Sequence, residues 1–186
     1  MKKVNLLGLM SGTSADGLSI ALCEAAGRGL KVKAFGNYPY PSALQARIIA
    51  AKDMKAPELS ALNFELGRLW AGMVKRFCRA HKIAYKNLAA IGSHGQTVWH
   101  APGGPGHTLQ LGEAAFLAEE TGRPVVCDFR PADMAAGGEG APLIPFLDEY
   151  LYGGGSPVAL QNIGGVGNIA FVGRGVKTTF PTPPIF

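Results

Sequence analysis

The segment Ser11–Ser19, SGTSADGLS, concentrates hydroxyls, glycines and one carboxylate between two apolar runs. Glycines permit close approach and positive φ, so backbone amides in such a turn can converge on an oxyanion. The hydroxyls of Ser11, Thr13 and Ser14 add donors, and Asp16 can hold a metal-bound water or cap the turn. A tight hairpin whose Ser, Thr and Asp satisfy their own backbone is the plainer alternative. A similar device, ALQNIGGVGNIAFV with Gly164 and Gly165 at its centre, returns near the C-terminal end. Two such turns, each opening one part of the chain, read as a clamp that closes on a polyphosphate from both sides. Neither matches the P-loop pattern or the dinucleotide fingerprint.

Two further clusters carry polar chemistry. His94-Gly95-Gln96-Thr97 follows an apolar stretch, at the strand end where α/β folds place ligands. An imidazole, an amide and a hydroxyl suit sugar hydroxyls, although His94 and Gln96 would equally serve loop backbone. Asp128-Phe129-Arg130 ends a second apolar run. The planar fork of Arg130 suits a carboxylate or phosphate, with Asp128 orienting it or touching metal-bound water. The alternative is a structural ion pair between the two. Trp99 can stack on a sugar or fill the core, and His100 and His107 read as solvated. Asp133 and Glu139 fall in a Gly/Pro-rich stretch, PADMAAGGEGAP, expected to be a loop. A hydrolase using Asp128 and His94 is a weaker reading, because no nucleophile stands beside a base.

Elements that position these clusters follow from periodicity. Val4–Leu9, Leu18–Glu24 and the alternating LKVKAFGNY predict three strands. A helix-like stretch begins at Ser42. The spacing of Leu59, Leu62, Leu66, Leu69, Trp70, Met73, Val74 and Phe77, with Pro57 in the first turn, predicts a long helix whose stripe is core. LAAIGSHGQTVWH predicts a buried strand ending in a polar loop. Next come a short strand, a helix closed by Gly122 and the apolar strand PVVC, and later a helix over 143–151. YGGGSP reads as a linker. The strand–turn–strand device beyond it predicts a duplicated α/β architecture, with residues 1–152 as a first domain and 153–186 as linker and the opening of a second.

Composition sets the outer limits. At 47% hydrophobic and 17% charged, 186 residues are too apolar for disorder and enough for one sizeable core. Apolar runs are short and interrupted, so no membrane span is expected. The net charge of +5 is scattered, without a basic run, which disfavours a nucleic-acid partner. Cys23, Cys78 and Cys127 lie far apart, without metal-ligand spacing or an export signal; reduced, mostly buried thiols in a cytoplasmic protein are expected.

Taken together, MSGTSADG, IGSHGQTVWH, HTLQLG, VVCDFRPADMAAGGEGAPLIP and NIGGVGNI resemble the anhydro-N-acetylmuramic acid kinase family, in that family's order from Leu7 to about Ile169. The resemblance implies an actin-like ATPase (ribonuclease H-like) domain, a mixed sheet flanked by helices, plus the opening hairpin of a second similar domain. It implies ATP and Mg²⁺ as cofactors. The implied reaction is phosphorylation of 1,6-anhydro-N-acetylmuramic acid with hydrolysis of the anhydro ring, giving N-acetylmuramic acid 6-phosphate in cell-wall sugar recycling. It makes Gly12, Thr13, Ser14, Ala15, Asp16, Gly17, Leu18 and Ser19 the ATP-phosphate loop, with Gly164 and Gly165 in the second turn. Asp16 becomes the candidate metal residue. His94, Gln96, Thr97, Asp128 and Arg130 become the sugar-binding set. Where the family usually has a second acid, this chain has Ser19, one negative charge fewer beside the phosphates.

The family's proton acceptor is an Asp in an Asp-Thr-Gly-Pro-Gly-Asn motif after the second hairpin; here Pro181 stands in its place. No catalytic residue is therefore assigned, and the resemblance covers the first half of a family member. The expectation is a truncated or frameshifted, impaired kinase. The alternative is a non-catalytic sugar- or nucleotide-binding fragment. Exposed strand edges in the second part lead us to expect association, as a homo-oligomer or with a complementary chain.

Overall fold

A computed structural model describes residues 2–162 and 167–182. Three antiparallel strands open the chain: β1 (Val4–Ser11), β2 (Gly17–Ala26) and β3 (Gly29–Pro39). Helices α1 (Ser42–Ile49) and α2 (Ala56–Ala80) then carry the chain to β4 (Leu88–Ala101), which pairs parallel to β1. Strand β5 (His107–Leu111) adds antiparallel to β4, and the two-residue β6 (Val125–Val126) adds parallel to it. The sheet runs β3-β2-β1-β4-β5, with β6 also on β4. This is the mixed sheet flanked by helices expected of an actin-like domain.

Packing follows the apolar periodicity. Leu62, Leu66, Trp70, Val74 and Phe77 form one stripe of α2, each fully buried. They meet Leu7 and Leu9 of β1, Leu18 and Ile20 of β2 and Ile91 of β4 in a single core. Each such side chain contributes about 2 kcal/mol by leaving water. Pro57 sits in the first turn of α2, and the Glu58 carboxylate accepts from the Lys55 amide at 2.8 Å, closing the helix start. Helix α3 (Ala115–Thr121) ends on left-handed Gly122, as expected.

Three expectations need correction. His94–Thr97 is not a loop beyond the strand; it lies inside β4, which continues to Ala101. Pairing of Gln96 with both Ser11 and Leu111 holds the segment extended, and Gly95 at φ +79 absorbs the irregularity. A Cβ on Gly95 would stand 2.7 Å from Gln110 Cβ, so the kink requires glycine. Second, the stretch after Asp128 is partly helical: α4 spans Phe129–Ala135. Pro131 falls in its first turn, where proline is tolerated. The Asp133 carboxylate accepts the Gly140 amide at 2.7 Å and folds the glycines back onto that helix. Third, the thiols are not mostly buried. Cys78 is buried, Cys23 is half-buried and Cys127 is exposed; all three are free.

Helix α5 (Ile144–Tyr152) precedes a second sheet of β7 (Val158–Asn162), β8 (Gly167–Gly173) and β9 (Val176–Thr182), antiparallel in the order β7-β8-β9. It repeats the up-down-up order of β1–β3. Gly164 and Gly165 lie outside the described residues. Pro181 is on β9, opposite Asn168, an edge position compatible with a residue that has no amide proton. No helix among the described residues is long and apolar enough to cross a membrane.

Among the described glycines the least room for a Cβ is at Gly112, at φ +110 after β5, where the indole of Trp70 occupies the space it would need. Gly112→Ala should therefore cost roughly 2–3 kcal/mol, combining overpacking with a disfavoured backbone conformation. Denaturant unfolding of the variant measures this, and an unchanged midpoint would refute the packing.

Candidate binding site: a glycine loop and an adjoining cavity

The turn between β1 and β2 is held at several points. The Ala15 amide donates to the Gly12 carbonyl at 3.0 Å, and the Tyr40 amide donates to the Asp16 carbonyl at 3.0 Å. Gln45 Nε2 of α1 donates to the Ser14 carbonyl at 3.0 Å. Ala15 adopts φ +50 and is buried, a strained conformation for a residue with a Cβ. Gly17 is demanded by the fold, because a Cβ there would collide with the Tyr38 carbonyl. Gly12 is different: a Cβ would meet nothing nearer than Ser14 Oγ at 3.8 Å, so the space in front of it is open. That opening, with exposed Thr13, Ser14 and Asp16 around it, fits a phosphate group. Leu18 points into the core, and Ser19 Oγ donates to Asn37 Oδ1 across the β2–β3 pair at 2.7 Å.

Asp16 is a lone carboxylate, and no cluster of three metal-ligating side chains occurs among the described residues. A magnesium ion that keeps its waters and binds nucleotide phosphates asks for one or two carboxylates, which Asp16 meets at the lower limit.

Beside β4 lies a cavity of about 130 Å³ whose lining includes Asn63, Ser93, His94, Gln110, Glu113 and Asp128. Ser93 Oγ and Gln110 Oε1 are both buried there without a hydrogen-bond partner. An unpartnered buried polar atom costs about 1–3 kcal/mol, so each is a place where a ligand would restore a bond. Asn63 of α2 shapes the wall. Its Oδ1 accepts the Gly112 amide at 2.7 Å, and its Nδ2 donates to Glu113 Oε2 at 3.2 Å. Ser93, Asn63 and Gln110 escaped the sequence reading. Ser93 stood one residue before the cluster singled out, and Gln110 within a short strand.

His94 and Arg130 meet, although they are 36 residues apart. Arg130 Nε donates to His94 Nε2 at 3.1 Å, and its Nη1 donates to the Gly140 carbonyl at 2.9 Å. His94 Nδ1 lies 2.8 Å from the Gly95 carbonyl. These contacts fix one tautomer: Nδ1 carries the proton for Gly95, and Nε2 accepts from Arg130. Burial, opposed by the Gly95 carbonyl, and then the Arg130 charge hold the His94 pKa below its ordinary value. Burial likewise lowers Arg130. The guanidinium is half-buried, and no carboxylate pairs with it among the described residues.

Several expectations are revised by this geometry. Asp128 does not orient Arg130; it is exposed at φ +57, with Cys127 Sγ 3.5 Å from its Oδ2. The Asp128–His94 hydrolase arrangement is absent, since both His94 nitrogens are engaged elsewhere. Gln96 does not face a ligand. It is 1% exposed, its amide donating to the Gly12 and Thr97 carbonyls while its oxygen accepts from Ser11. Thr97 does not line the cavity; its Oγ1 accepts from Nε2 of Gln110, which does, at 3.4 Å. Trp99 does not fill the core: it is exposed, stacks on His107 with centroids 6.2 Å apart and donates to its Nε2, while His107 is solvent-exposed as expected. His100 is half-buried, its Nδ1 3.3 Å from Thr108 Oγ1.

The lowered His94 pKa has a defined sign. Its contribution to stability is present above 6.5, the ordinary value, and is lost as pH falls through the folded-state midpoint. An NMR titration should place the His94 midpoint below 6.5, and Arg130→Ala should move it upward. A midpoint unaffected by Arg130→Ala would contradict the contact.

A family model for anhydro-N-acetylmuramic acid kinase matches residues 4–184. Curated relatives of that name include one from Sulfurovum sp. (strain NBC37-1), 40% identical over 94% of this chain and 50% of its own length. Another, from Francisella tularensis subsp. novicida (strain U112), is 42% identical over 89% of this chain and 47% of its own. A Ppx/GppA family structure from Aquifex aeolicus aligns at 11% identity with a TM-score of 0.41, covering 98% of this chain and 52% of that one. The chain thus spans about half the length of the curated relatives it matches, and throughout that span it belongs to the anhydro-N-acetylmuramic acid kinase family.

Proposed function

We propose that this chain carries the sugar pocket and one phosphate loop of an ATP-dependent kinase acting on 1,6-anhydro-N-acetylmuramic acid. The reaction would open the anhydro ring by hydrolysis and yield N-acetylmuramic acid 6-phosphate. The supporting observation is a half-buried guanidinium without a carboxylate partner among the described residues, reached through His94 from a cavity holding two unpartnered buried polar atoms. A muramic acid presents a lactyl carboxylate for Arg130 and hydroxyl and N-acetyl groups for Ser93 and Gln110. His94 acts on the ligand through Arg130, whose side chain it holds at Nε. Thr97 braces Gln110, and exposed Asp128 lines the cavity.

The loop of Gly12 to Ser19 would receive the ATP phosphates. Thr13 and Ser14 offer hydroxyls, the open space at Gly12 admits an oxyanion, and Asp16 would hold Mg²⁺ through its waters. When bound, the metal nucleotide supplies the transferable phosphoryl group and neutralises its charge. Gly164 and Gly165 complete the clamp in this reading. Residues 1–152 form the sugar-binding domain, and residues 153–186 lead into the second.

Phosphoryl transfer also calls for a group that takes the proton of the attacking oxygen. In this reading Pro181 stands where the resemblance places the motif's Asp, so no proton acceptor is assigned at that position. We therefore read these residues as contributing sugar and nucleotide binding, with the proton acceptor not among the groups assigned here.

Calorimetry with 1,6-anhydro-N-acetylmuramic acid should detect binding, weakened about tenfold by Ser93→Val through loss of one hydrogen bond to a buried oxygen. A coupled ADP-release assay with Mg-ATP should show no sugar-dependent turnover by the chain alone. Absence of sugar binding by the folded chain would refute the pocket. Turnover above background would refute the binding-only reading.

A further inference from the structure

A buried polar chain runs from the core to the glycine loop. Trp70 Nε1 donates to Tyr40 Oη at 2.8 Å. Tyr40 Oη lies 2.9 Å from Ser11 Oγ, which donates to Gln96 Oε1 at 2.6 Å. Gln96 Nε2 donates to the Gly12 carbonyl at 3.0 Å and the Thr97 carbonyl at 3.2 Å. Exposures are 0% for Trp70, 7% for Tyr40, 2% for Ser11 and 1% for Gln96, which leaves water little access to replace a missing partner.

The direction of every bond is fixed by its ends. An indole N–H only donates and an amide oxygen only accepts. Trp70 therefore takes a lone pair of Tyr40 Oη, Tyr40 must give its proton to Ser11, and Ser11 must give its proton to Gln96. Ser11 Oγ is also 3.2 Å from the Gly17 carbonyl, but its single proton is committed to the shorter contact. The chain terminates on the carbonyl of Gly12. In a trans peptide the C=O and the following N–H point in opposite directions. Drawing the Gly12 carbonyl inward onto Gln96 therefore turns the Thr13 amide away from the core, toward the open space in front of Gly12. Tyr40 also holds the far side of the loop, since its backbone amide donates to the Asp16 carbonyl.

We infer that Tyr40 is a positioning residue for the phosphate loop: through Ser11 and Gln96 its hydroxyl sets the orientation of the Gly12–Thr13 peptide. The inference rests on the reading of this loop as the nucleotide-phosphate site, and its test separates the two. Tyr40→Phe removes one oxygen and leaves the ring. Hydrogen exchange of the Ala15 amide, which donates to the Gly12 carbonyl, reports on the loop without any nucleotide. Tyr40→Phe should accelerate that exchange about tenfold more than it accelerates the amides of α2, whose own, shared acceleration reports the Trp70 N–H left without its acceptor. Gln96→Met cuts the chain at its other end and should give the same local pattern, which guards against a Tyr40 variant that does not fold. Calorimetry with Mg-ATP should then show affinity about tenfold weaker in either variant than in the parent.

Unchanged Ala15 exchange, or equal acceleration throughout α2, would overturn the positioning role. Accelerated loop exchange with no Mg-ATP binding even by the parent chain would sustain Tyr40 as the loop's support and overturn the phosphate reading beneath it.

Discussion

An indole N–H sealed inside an apolar core must find an acceptor, and at Trp70 that need organises the domain. Burying the bare donor would cost about 1–3 kcal/mol, a sizeable share of a domain's net stability. The acceptor, Tyr40, follows directly on β3 and begins the passage to α1. The indole therefore ties α2 to the end of the first hairpin pair at a defined height. Its other consequence lies on the ring itself, which fills the space a Cβ on Gly112 would need. Gly112 is in turn bonded to Asn63, so the cavity wall and the glycine loop rest on opposite parts of one side chain. A displacement of Trp70 would reach both.

A second constraint is electrostatic. Arg130 is half-buried at the start of α4, where its partners are a neutral imidazole and a backbone carbonyl. Removing a guanidinium from water without a counter-anion raises the free energy of the empty protein, and an incoming carboxylate recovers that cost. The imidazole is neutral, so, in the proposed reading, it leaves Arg130 free to meet a ligand carboxylate, where an acid in its place would satisfy the guanidinium permanently. His94 thus holds the fork in position while leaving its charge uncompensated. The loop of Gly12 to Gly17 shows the complementary strategy, with exposed hydroxyls and amides in place of a fixed cation.

Local pattern made part of this legible. The α2 stripe, the Gly122 cap and the first two hairpins were readable, because their determinants recur within a few residues. Gly95 misled, since a glycine among polar residues has the composition of a turn. Only the neighbouring strands, Ser11 on one side and Leu111 on the other, hold that segment inside β4. Helix α4 was hidden by Pro131 and by the glycines beyond it. Tyr40 and Ser93 carried no signal at all. Tyr40 lies 29 and 30 residues from its bonding partners, and Ser11 lies 85 from Gln96. Contacts at such separation exist only once the sheet order is set.

The side chains gathered here also divide binding chemistry from proton-transfer chemistry. A general base needs an available lone pair and a pKa near the working pH. At His94 the Nε2 lone pair is occupied by Arg130 Nε, and the adjoining cation makes protonation harder still. The Asp128 carboxylate is exposed and apart from it. Ser93, Gln110 and Arg130 offer a hydroxyl, an amide and a guanidinium, groups that recognise oxygen atoms without removing protons from them. In the proposed reading these groups hold an anionic sugar and leave its protons in place. In that reading the acid–base work belongs to a carboxylate; of the two acids lining the cavity, Asp128 is exposed and Glu113 is already engaged by Asn63 and by the Ala115 amide at the start of α3.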